Sequence, residues 1–295
     1  MVTIGTFDGV HHGHQQILKR VVDRAKNEDL TSLLLTFFPH PRMVLQPDHD
    51  LKLINTIDER VDLVAASGVE HMVIHPFSME FSRTSAHAYV KDILVDKLNA
   101  GVVVIGYDHH YGRNRSANIV DLRKDAEEYG FELIEISKEE IDEVAVSSTK
   151  VRNAITDGKM LTANQYLNRP FSINGMVIKG KQIGRTIGYP TANLKVSEKY
   201  KLIPKTGVYI TSSLIDGKTV FGMTNIGTNP TVDSSNRSLS IETYYLDFDQ
   251  NLYDQKMELF FHNRLRDEAK FDSLEELKKN MATDEQKTRA YASKA

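Results

Sequence analysis

The chain has 295 residues, of which 40% are hydrophobic and 26% are charged, and its formal net charge is −3 at pH 7. Such a length is typical of two globular domains of about 150 residues each. The charge balance provides no basic field, which argues against nonspecific nucleic-acid binding. Because the sequence contains no cysteine, disulfides, thiolate metal sites and cysteine nucleophiles are excluded.

The N-terminal residues, MVTIGTFDGV, contain no basic segment ahead of an apolar stretch, unlike a secretion signal. No apolar run in the sequence reaches the ~18 residues that span a bilayer. We therefore expect a cytoplasmic protein that has neither a membrane nor a nucleic acid as a partner.

The first half alternates short apolar runs with amphipathic segments, a pattern typical of buried strands joined by helices. It predicts a doubly wound parallel sheet with helices on both faces, whose ligands bind beyond the carboxyl ends of the strands. The expected strands are Val2–Ile4, Ser32–Phe37, Glu70–Ile74, Gly101–Gly106 and Phe131–Ile136, and the expected helices are Gln15–Lys26, Asp58–Ser67, Ala86–Leu98 and Val120–Tyr129.

Strands dominate the second half, and a final amphipathic helix follows an N-cap at Asp272 or Ser273. Five or six antiparallel strands predict a small closed barrel with a terminal helix. The expected domains are therefore residues 1–163 and residues 164–295. The expected strands are Phe171–Ile178, Gly207–Ile215, Thr219–Asn225, Leu239–Phe248 and Lys256–His262.

A glycine- and histidine-rich segment, residues 5–14 (GTFDGVHHGH), follows the first expected strand and opens the first expected helix. Gly5 and Gly9 allow the backbone to turn sharply and to approach a ligand. His11 and His14 are three positions apart and share one face of the helix start. Because the amides of a helix N-terminus favour anions, the segment predicts a cradle for a polyphosphate. The alternative is a glycine-rich turn whose histidines are merely exposed or bind a metal.

This segment resembles the HxGH signature of the nucleotidyltransferase superfamily. Its full form resembles the prokaryotic bifunctional riboflavin kinase/FMN adenylyltransferase family, the bacterial FAD synthetases. Three further segments match that family: PHP at residues 39–41, GYDHHYG at 106–112 in place of GxDFxFG, and VSSTKVR at 146–152, which is similar to ISSTxxR. His109, Tyr111 and Ala117 depart from the family's usual residues near the expected flavin or adenine pocket.

The resemblance implies ATP-dependent adenylylation of FMN, in which an FMN phosphate oxygen attacks the α-phosphorus of ATP and pyrophosphate leaves. No protein nucleophile is required, so catalysis consists of positioning and charge stabilisation, with Mg²⁺ bridging the phosphates. The implied catalytic residues are His11, His14 and Arg152; the implied nucleotide- or phosphate-binding residues are Gly5, Phe7, Asp8, Gly9, Gly13, Ser147, Ser148 and Thr149; and the implied flavin-binding residues are Pro39, His40, Pro41, Asp108 and Tyr111.

Several of these residues also have a purely local interpretation. A serine or threonine at 147–149 is a good N-cap for the next helix, a role compatible with phosphate binding because both use the same amides. Arg152 alone is typical of a solvated helix face, although its planar cationic fork suits phosphate. Asp8 and Asp108 are each also explained as loop aspartates that bond their own backbone.

A second glycine-rich segment, residues 180–194 (GKQIGRTIGYPTANL), is not a Walker A loop because no GK[ST] closes it. Its glycines permit backbone approach to phosphates, and Lys181 and Arg185 add positive charge. Thr191 and Asn193 alternate on one side of an extended segment. They therefore present two oxygen ligands that suit a hard cation such as Mg²⁺.

This segment resembles the riboflavin kinase signature GRTxGxPTANL, as do GVY at 207–209, TNIGTNPT at 224–231 and IETYYLDF at 241–248. The resemblance implies a barrel that phosphorylates riboflavin to FMN with ATP, with Glu242 as the general base. From the residues alone, Glu242 is interpreted as a solvent-facing strand carboxylate. The implied phosphate-binding residues are Gly180, Lys181, Gly184 and Arg185.

The segment LRDEAKF at residues 265–271 matches the family's LRDExxF. We expect it to form a flap over the flavin through Arg266 and Phe271, the alternative being a charged surface loop that Phe271 anchors. Lys179 and Ile183 stand where histidine and arginine are common in the family, so the kinase half is the less complete match.

The ordered motifs together predict a bifunctional enzyme of FAD biosynthesis that uses riboflavin, FMN and ATP. Three alternatives remain open. In the first, the chain is an FMN adenylyltransferase with a weak or silent barrel. In the second, it is a different HxGH enzyme, such as a pantetheine-phosphate or glycerol-phosphate nucleotidyltransferase. In the third, it is a flavin-sensing binding protein without turnover. The second alternative lacks the PTAN barrel that this sequence carries.

Overall fold

The computed structural model describes residues 1–107, 109–137, 146–180, 183–229 and 238–295. By its internal contacts the chain divides into two compact units, Met1–Ser148 and Thr149–Ala295. Within the described ranges, each unit contains one sheet. Among the described residues, no helix combines the length and the apolar character that crossing a membrane requires.

The strands of the first unit are β1 (Val2–Ile4), β2 (Leu33–Phe38), β3 (His71–Pro76), β4 (Val102–Gly106) and β5 (Glu132–Ile136). They pair in the order β3-β2-β1-β4-β5, and every pair is parallel. Val2 of the central strand is opposite Leu33 on one side and Val103 on the other. The predicted parallel sheet is confirmed, with each boundary within two residues of the expected one.

The helices of the first unit are α1 (His12–Asn27), α2 (Pro41–Leu45), α3 (Ile57–Ala66), α4 (Ala86–Tyr89) and α5 (Ile119–Tyr129). They cover both faces of the sheet. Leu34 and Leu35 point to opposite faces of β2, and Leu34 packs with Leu18 of α1 whereas Leu35 packs with Leu122 of α5. The sheet is therefore doubly wound, as predicted.

The predicted continuous helix Ala86–Leu98 is wrong beyond its first turn. The chain continues from α4 as a π-helical segment, Val90–Val95, in which Asp96 N–H donates to the Lys91 carbonyl and Leu98 N–H to the Ile93 carbonyl. The wider turn buries Val90, Ile93 and Leu94 against the core together. Apolar spacing alone does not distinguish this turn from an α-helical one.

The second unit holds α6 (Ser148–Thr156), whose first residue still belongs to the first unit, then α7 (Met160–Leu167), α8 (Ile183–Thr186) and the terminal helix α9 (Leu274–Ala292). Its strands are β6 (Phe171–Ile178), β7 (Ala192–Lys195), β8 (Gly207–Ile215), β9 (Lys218–Asn229), β10 (Ser238–Tyr245) and β11 (Lys256–Arg266). They close into an antiparallel barrel in the order β10-β7-β6-β11-β8-β9. The predicted barrel is confirmed, and β7 is the strand that the sequence pattern indicated only as an extended segment.

A row of threonines fills part of the barrel interior. Thr224 shares hydrogen bonds with Thr211 at 2.7 Å and with Thr243 at 2.8 Å, and all three are buried. Because successive side chains of a strand point to opposite faces, the neighbours of these threonines point outward. The terminal helix begins after Ser273, whose hydroxyl accepts the Glu276 N–H at 3.1 Å, so the predicted cap is confirmed.

Candidate active sites

The carboxyl ends of the parallel strands bring three of the predicted segments to one edge of the first sheet. Residues 5–14 follow β1, the segment Pro39-His40-Pro41 follows β2, and Tyr107 follows β4. Asp108, a predicted flavin-binding residue, lies outside the described residues. Ligands of open parallel sheets bind beyond this edge.

The loop after β1 is tightly wound. Phe7 and Val10 have positive φ angles of 47° and 38°, and Gly9 has a φ of +91°. A Cβ atom on Gly9 would lie 2.9 Å from Cδ1 of Ile54, so a larger residue is excluded there by both conformation and space. Non-glycine residues in this region of φ carry strain, which proteins retain mainly at functional sites.

His11 and His14 stack at the start of α1. Their ring centroids are 3.6 Å apart with an interplanar angle of 17°, and the ring of Phe7 lies 4.6 Å from that of His14. His11 is the N-cap residue, and its Nδ1 accepts the His14 N–H at 3.4 Å. The neutral form of His11 therefore carries its proton on Nε2.

The start of α1 is suited to an anion. Its first turn contains no acidic side chain, and its first amides point out of the helix, where the helix dipole is positive. Gly13 lies in this turn and is half-buried, as is His14. The predicted polyphosphate cradle thus has its expected backbone context.

Asp8 holds the loop rather than facing solvent. Its carboxylate accepts the Ile54 N–H at 2.9 Å and the Asn55 N–H at 3.3 Å, and it lies 3.8 Å from Nη2 of Arg60. The side chains of Asp8 and Arg60 are 1% and 0% exposed. The sequence did not indicate this pair, because the two residues lie on different elements and either one is unremarkable alone. A nucleotide contact by Asp8 stays a prediction.

The predicted SSTK segment also meets this loop. The Ser148 hydroxyl donates to the carbonyl oxygen of Asp8 at 2.9 Å. Because α6 begins at Ser148, Ser147 occupies the N-cap position and Arg152 lies one turn further along the same helix. Ser147 and Thr149 are exposed. The phosphate-binding roles predicted for these residues stay predictions.

Of the predicted flavin-binding residues, His40 and Tyr111 have clear structural partners. His40 is the N-cap of α2, between Pro39 and Pro41, and its Nδ1 accepts the Arg42 N–H at 3.1 Å. Tyr111 is buried and donates to Oδ2 of Asp125 at 3.2 Å. Burial, reinforced by the charge of Asp125, raises the pKa of Tyr111. In the structure Tyr111 therefore packs as a core side chain.

An aromatic cluster at the same sheet edge was not predicted. Phe37 near the end of β2 packs against Phe77 and Phe81, with ring centroids 5.9 Å and 5.8 Å away. His75 lies 4.3 Å from Phe81. The available signal was the FFPHP segment, which begins in the last residues of β2, and the Pro76-Phe77 pair at the end of β3. The cluster offers an apolar wall beside the predicted flavin-binding segment.

In the second unit, Glu242 lies in a row of polar residues across three strands. It is opposite Asn193 of β7 on one side and opposite Asn225 of β9 on the other. All three residues are half-buried. Since the adjacent Thr243 and Thr224 point into the barrel, this row lies on the outer face. Asn225 was not predicted as a site residue.

The glycine-rich segment closes over Asn193. A Cβ atom on Gly180 would lie 2.2 Å from Nδ2 and 2.6 Å from Oδ1 of Asn193. A Cβ atom on Gly184 would lie 2.2 Å from the Tyr189 carbonyl oxygen and 3.6 Å from Cγ2 of Thr191. Glycine is therefore required by space at position 184, where the neighbour is backbone, whereas a side chain at position 180 would displace that of Asn193. Arg185 is exposed in α8, and Lys181 lies outside the described residues.

The LRDEAKF segment lies beside this site. Arg266 pairs with the buried carboxylate of Asp284 at 2.9 Å, and its guanidinium lies 5.5 Å from the ring centre of Phe271. A Cβ atom on Gly227 would lie 2.5 Å from Oε1 of Glu268, which brings the segment to the strand that carries Asn225. The flavin contacts predicted for Arg266 and Phe271 stay predictions.

The sequence matches two families, one in each half. The family described as FAD synthetase matches residues 1–150, and the family described as riboflavin kinase matches residues 167–292. The first range contains the stacked histidines, and the second contains Asn193 and Glu242.

Full-length relatives carry the same pair of activities in their name, bifunctional riboflavin kinase/FMN adenylyltransferase. The protein of Listeria monocytogenes is 39% identical over 295 residues, covering 100% of this chain and 93% of the relative. That of Pseudomonas fluorescens is 36% identical over 292 residues, covering 99% and 93%. That of Escherichia coli K12 is 32% identical over 292 residues, covering 99% and 92%.

A solved structure is also similar to this chain. The crystal structure of a macrolide-efflux protein from Streptococcus pneumoniae, so titled, has a TM-score of 0.87 and 30% identity, covering 98% of this chain and 93% of that chain. The two matched families and the full-length relatives agree with the motifs and with both sheets. The chain belongs to the bifunctional riboflavin kinase/FMN adenylyltransferase family.

Proposed function

We propose that the chain phosphorylates riboflavin to FMN and adenylylates FMN to FAD, with ATP as the co-substrate of both reactions. One observation carries the proposal: a single chain contains a FAD synthetase region and a riboflavin kinase region, and each has its own candidate site. The stacked histidines belong to the first region, and the Asn193–Glu242 pair belongs to the second.

In the adenylyl transfer, a phosphate oxygen of FMN attacks the α-phosphorus of ATP and pyrophosphate leaves. Negative charge spreads over the phosphates, so donors fixed in advance stabilise the transition state. We propose that such donors are the amides of the first turn of α1 and the imidazoles of His11 and His14. Ser148, held against the loop by its bond to Asp8, and Arg152 one turn further are the proposed phosphate ligands.

In the kinase reaction, the 5′-hydroxyl of riboflavin attacks the γ-phosphorus of ATP and ADP leaves. Glu242 is the proposed general base that takes the hydroxyl proton. Its place in a half-buried polar row supports this role, because the carboxylate is positioned by paired strands rather than by a loop.

The donor set around Asn193 fits a magnesium ion. Thr191, Asn193 and Glu242 offer oxygen ligands, which Mg²⁺ prefers. The absence of Cβ atoms at Gly180 and Gly184 leaves the backbone close to Asn193 and Thr191, as a site that also receives phosphates requires. We propose Thr191 and Asn193 as the residues that hold the ion. When bound, it would neutralise part of the phosphate charge.

We also propose residues 1–163 and 164–295 as the functional domains and the cytoplasm as the compartment. The division by internal contacts places α7 and nearly all of α6 in the second unit. We therefore expect these helices to stay folded with the barrel when the two domains are expressed separately. Expression of a barrel fragment that starts at residue 149, beside one that starts at residue 164, tests which boundary yields a folded kinase.

The central test is incubation of the purified chain with riboflavin, ATP and Mg²⁺, followed by chromatographic separation of the flavins. The proposal expects FMN to form first and FAD to follow. Formation of FAD only from added FMN would indicate a silent kinase barrel. Tight flavin binding without release of ADP or pyrophosphate would indicate a flavin-sensing protein instead.

A further inference from the structure

Tyr189 ends the glycine-rich loop that begins in α8. Its N–H donates to the Gly184 carbonyl oxygen at 2.8 Å. The Tyr189 carbonyl oxygen would in turn lie only 2.2 Å from a Cβ atom on Gly184. The loop is therefore closed on itself, and Thr191, two residues after Tyr189, also lies beside Gly184.

The ring of Tyr189 is packed beneath the terminal helix. Tyr189 is 8% exposed, and its ring meets that of Tyr244 edge-on, with centroids 4.9 Å apart. It belongs to an apolar cluster with Val208 and Met223, against which Met281 of α9 packs. The loop and the helix thus share one small core outside the barrel.

The hydroxyl of Tyr189 adds a directed bond to this contact. It donates to Oε2 of Glu285 in α9 at 3.1 Å. Oε1 of Glu285 accepts from Arg289 at 2.9 Å, and Arg289 reaches both carboxylate oxygens of Asp247 at 2.7 Å and 2.8 Å. Burial, together with Glu285, raises the pKa of Tyr189 to about 12, so the hydroxyl remains a donor at neutral pH.

We propose that Glu285 is a positioning residue for riboflavin phosphorylation and that it acts through Tyr189 on Thr191. The inference rests on the metal and phosphate roles proposed above for this loop. Glu285 itself touches no reacting atom. Its bond limits the conformations of Tyr189, and a loop with fewer conformations holds its oxygen ligands closer to the productive arrangement.

Two single variants and their combination test the pathway from helix to loop. Tyr189→Phe and Glu285→Ala each remove the hydrogen bond. We expect each to raise the apparent KM for magnesium ATP in FMN formation about tenfold, because a less restrained loop holds its oxygen ligands less close to the productive arrangement. Glu285→Ala also removes the acceptor of Arg289, but the Tyr189–Glu285 bond is already absent from that protein, so adding Tyr189→Phe should cause no further loss. Glu285→Gln retains an acceptor and should restore most of the affinity.

The controls separate this effect from a loss of structure. FAD formation from supplied FMN, measured in the same preparations, should be unchanged because none of the residues proposed for that reaction lies in the barrel strands or in α9. Tyr291→Phe removes a hydroxyl from the same helix, where the ring packs on Phe221 and His262, and should leave the KM unchanged.

Additive losses in the double variant, or an unchanged KM in both single variants, would overturn the inference. Failure of the proposed function has a different signature. If Asn193→Ala leaves the magnesium dependence of FMN formation unchanged, the assignment of the metal residues is wrong, whatever the Tyr189 and Glu285 variants show.

Discussion

Asn193 of β7 and Glu242 of β10 are directly opposite each other in an antiparallel pair. Opposed residues share one face of a sheet, with Cβ atoms about 4.5–5.5 Å apart. The side-chain amide of Asn193, a proposed metal ligand, and the carboxylate of Glu242, the proposed general base, therefore lie side by side on paired strands. This relationship joins two motifs that are far apart in the sequence.

Glu242→Gln should lower the rate of FMN formation about 10²- to 10⁴-fold, the usual contribution of a general base. The amide keeps the size of the side chain but cannot take the proton. FAD formation from supplied FMN should continue at the wild-type rate. Steady-state assays of both reactions with one preparation measure the two effects together.

Glu258→Gln on β11 is the matched control, since Glu258 is an exposed strand carboxylate of the same barrel. It should leave both reactions unchanged. Substantial FMN formation by the Glu242→Gln protein would exclude Glu242 as the base and leave it a strand residue of the outer face.

Asn193→Ala should raise the magnesium concentration that FMN formation requires, because one of the proposed oxygen ligands is lost. An order-of-magnitude shift is expected, as for loss of one ligand or its supporting partner. Titration of the kinase rate with Mg²⁺ at fixed ATP measures it. Asn193→Asp retains an oxygen donor and should show the smaller shift. An equal magnesium requirement in the wild-type, Asn193→Ala and Asn193→Asp proteins would exclude Asn193 as a ligand.

The sequence allowed both fold classes, the helix after the histidine-rich segment and the glycine-rich loops to be predicted, because each depends on local spacing. The N-cap role of His11 was not predicted. The opposition of Glu242 and Asn193 was not predictable in this way, since strand register is set by the whole barrel. The short β7 illustrates the difference: its residues alternate, but only pairing with β6 and β10 makes it a strand.

Buried polar partnerships were the other feature that the sequence did not reveal. The hydroxyl of Tyr111 is bonded to Asp125, which lies on α5. The carboxylate of Asp8 accepts amides of the segment before α3. The flavin contact of Tyr111 and the nucleotide contact of Asp8 stay predictions, because a motif specifies residue types and not the partners that folding gives them.

His14→Ala should lower FAD formation about 10²- to 10³-fold, the range seen when one transition-state donor is removed. FMN formation should be unaffected, because its site lies in the other unit. The expected product of riboflavin, ATP and Mg²⁺ is then accumulated FMN, which chromatography detects directly. His12→Ala, in the same helical turn, is the matched control and should still make FAD. Equal loss of both products in the His14→Ala protein would contradict independent sites.

Asp8→Ala should destabilise the first unit by about 3–5 kcal/mol, because it removes a buried carboxylate that lies 3.8 Å from the guanidinium of Arg60 and accepts the amides of Ile54 and Asn55. The side chains of Asp8 and Arg60 are 1% and 0% exposed, so this ion pair is fully buried. Asp23→Ala is the matched control: Asp23 pairs with Lys19 on the surface of α1, where the side chains are 55% and 70% exposed. That change should stay within about 1 kcal/mol. A urea titration in which the FMN adenylylation activity is the observable measures both values. Similar urea midpoints for the two variants would show that the buried pair does not hold the loop.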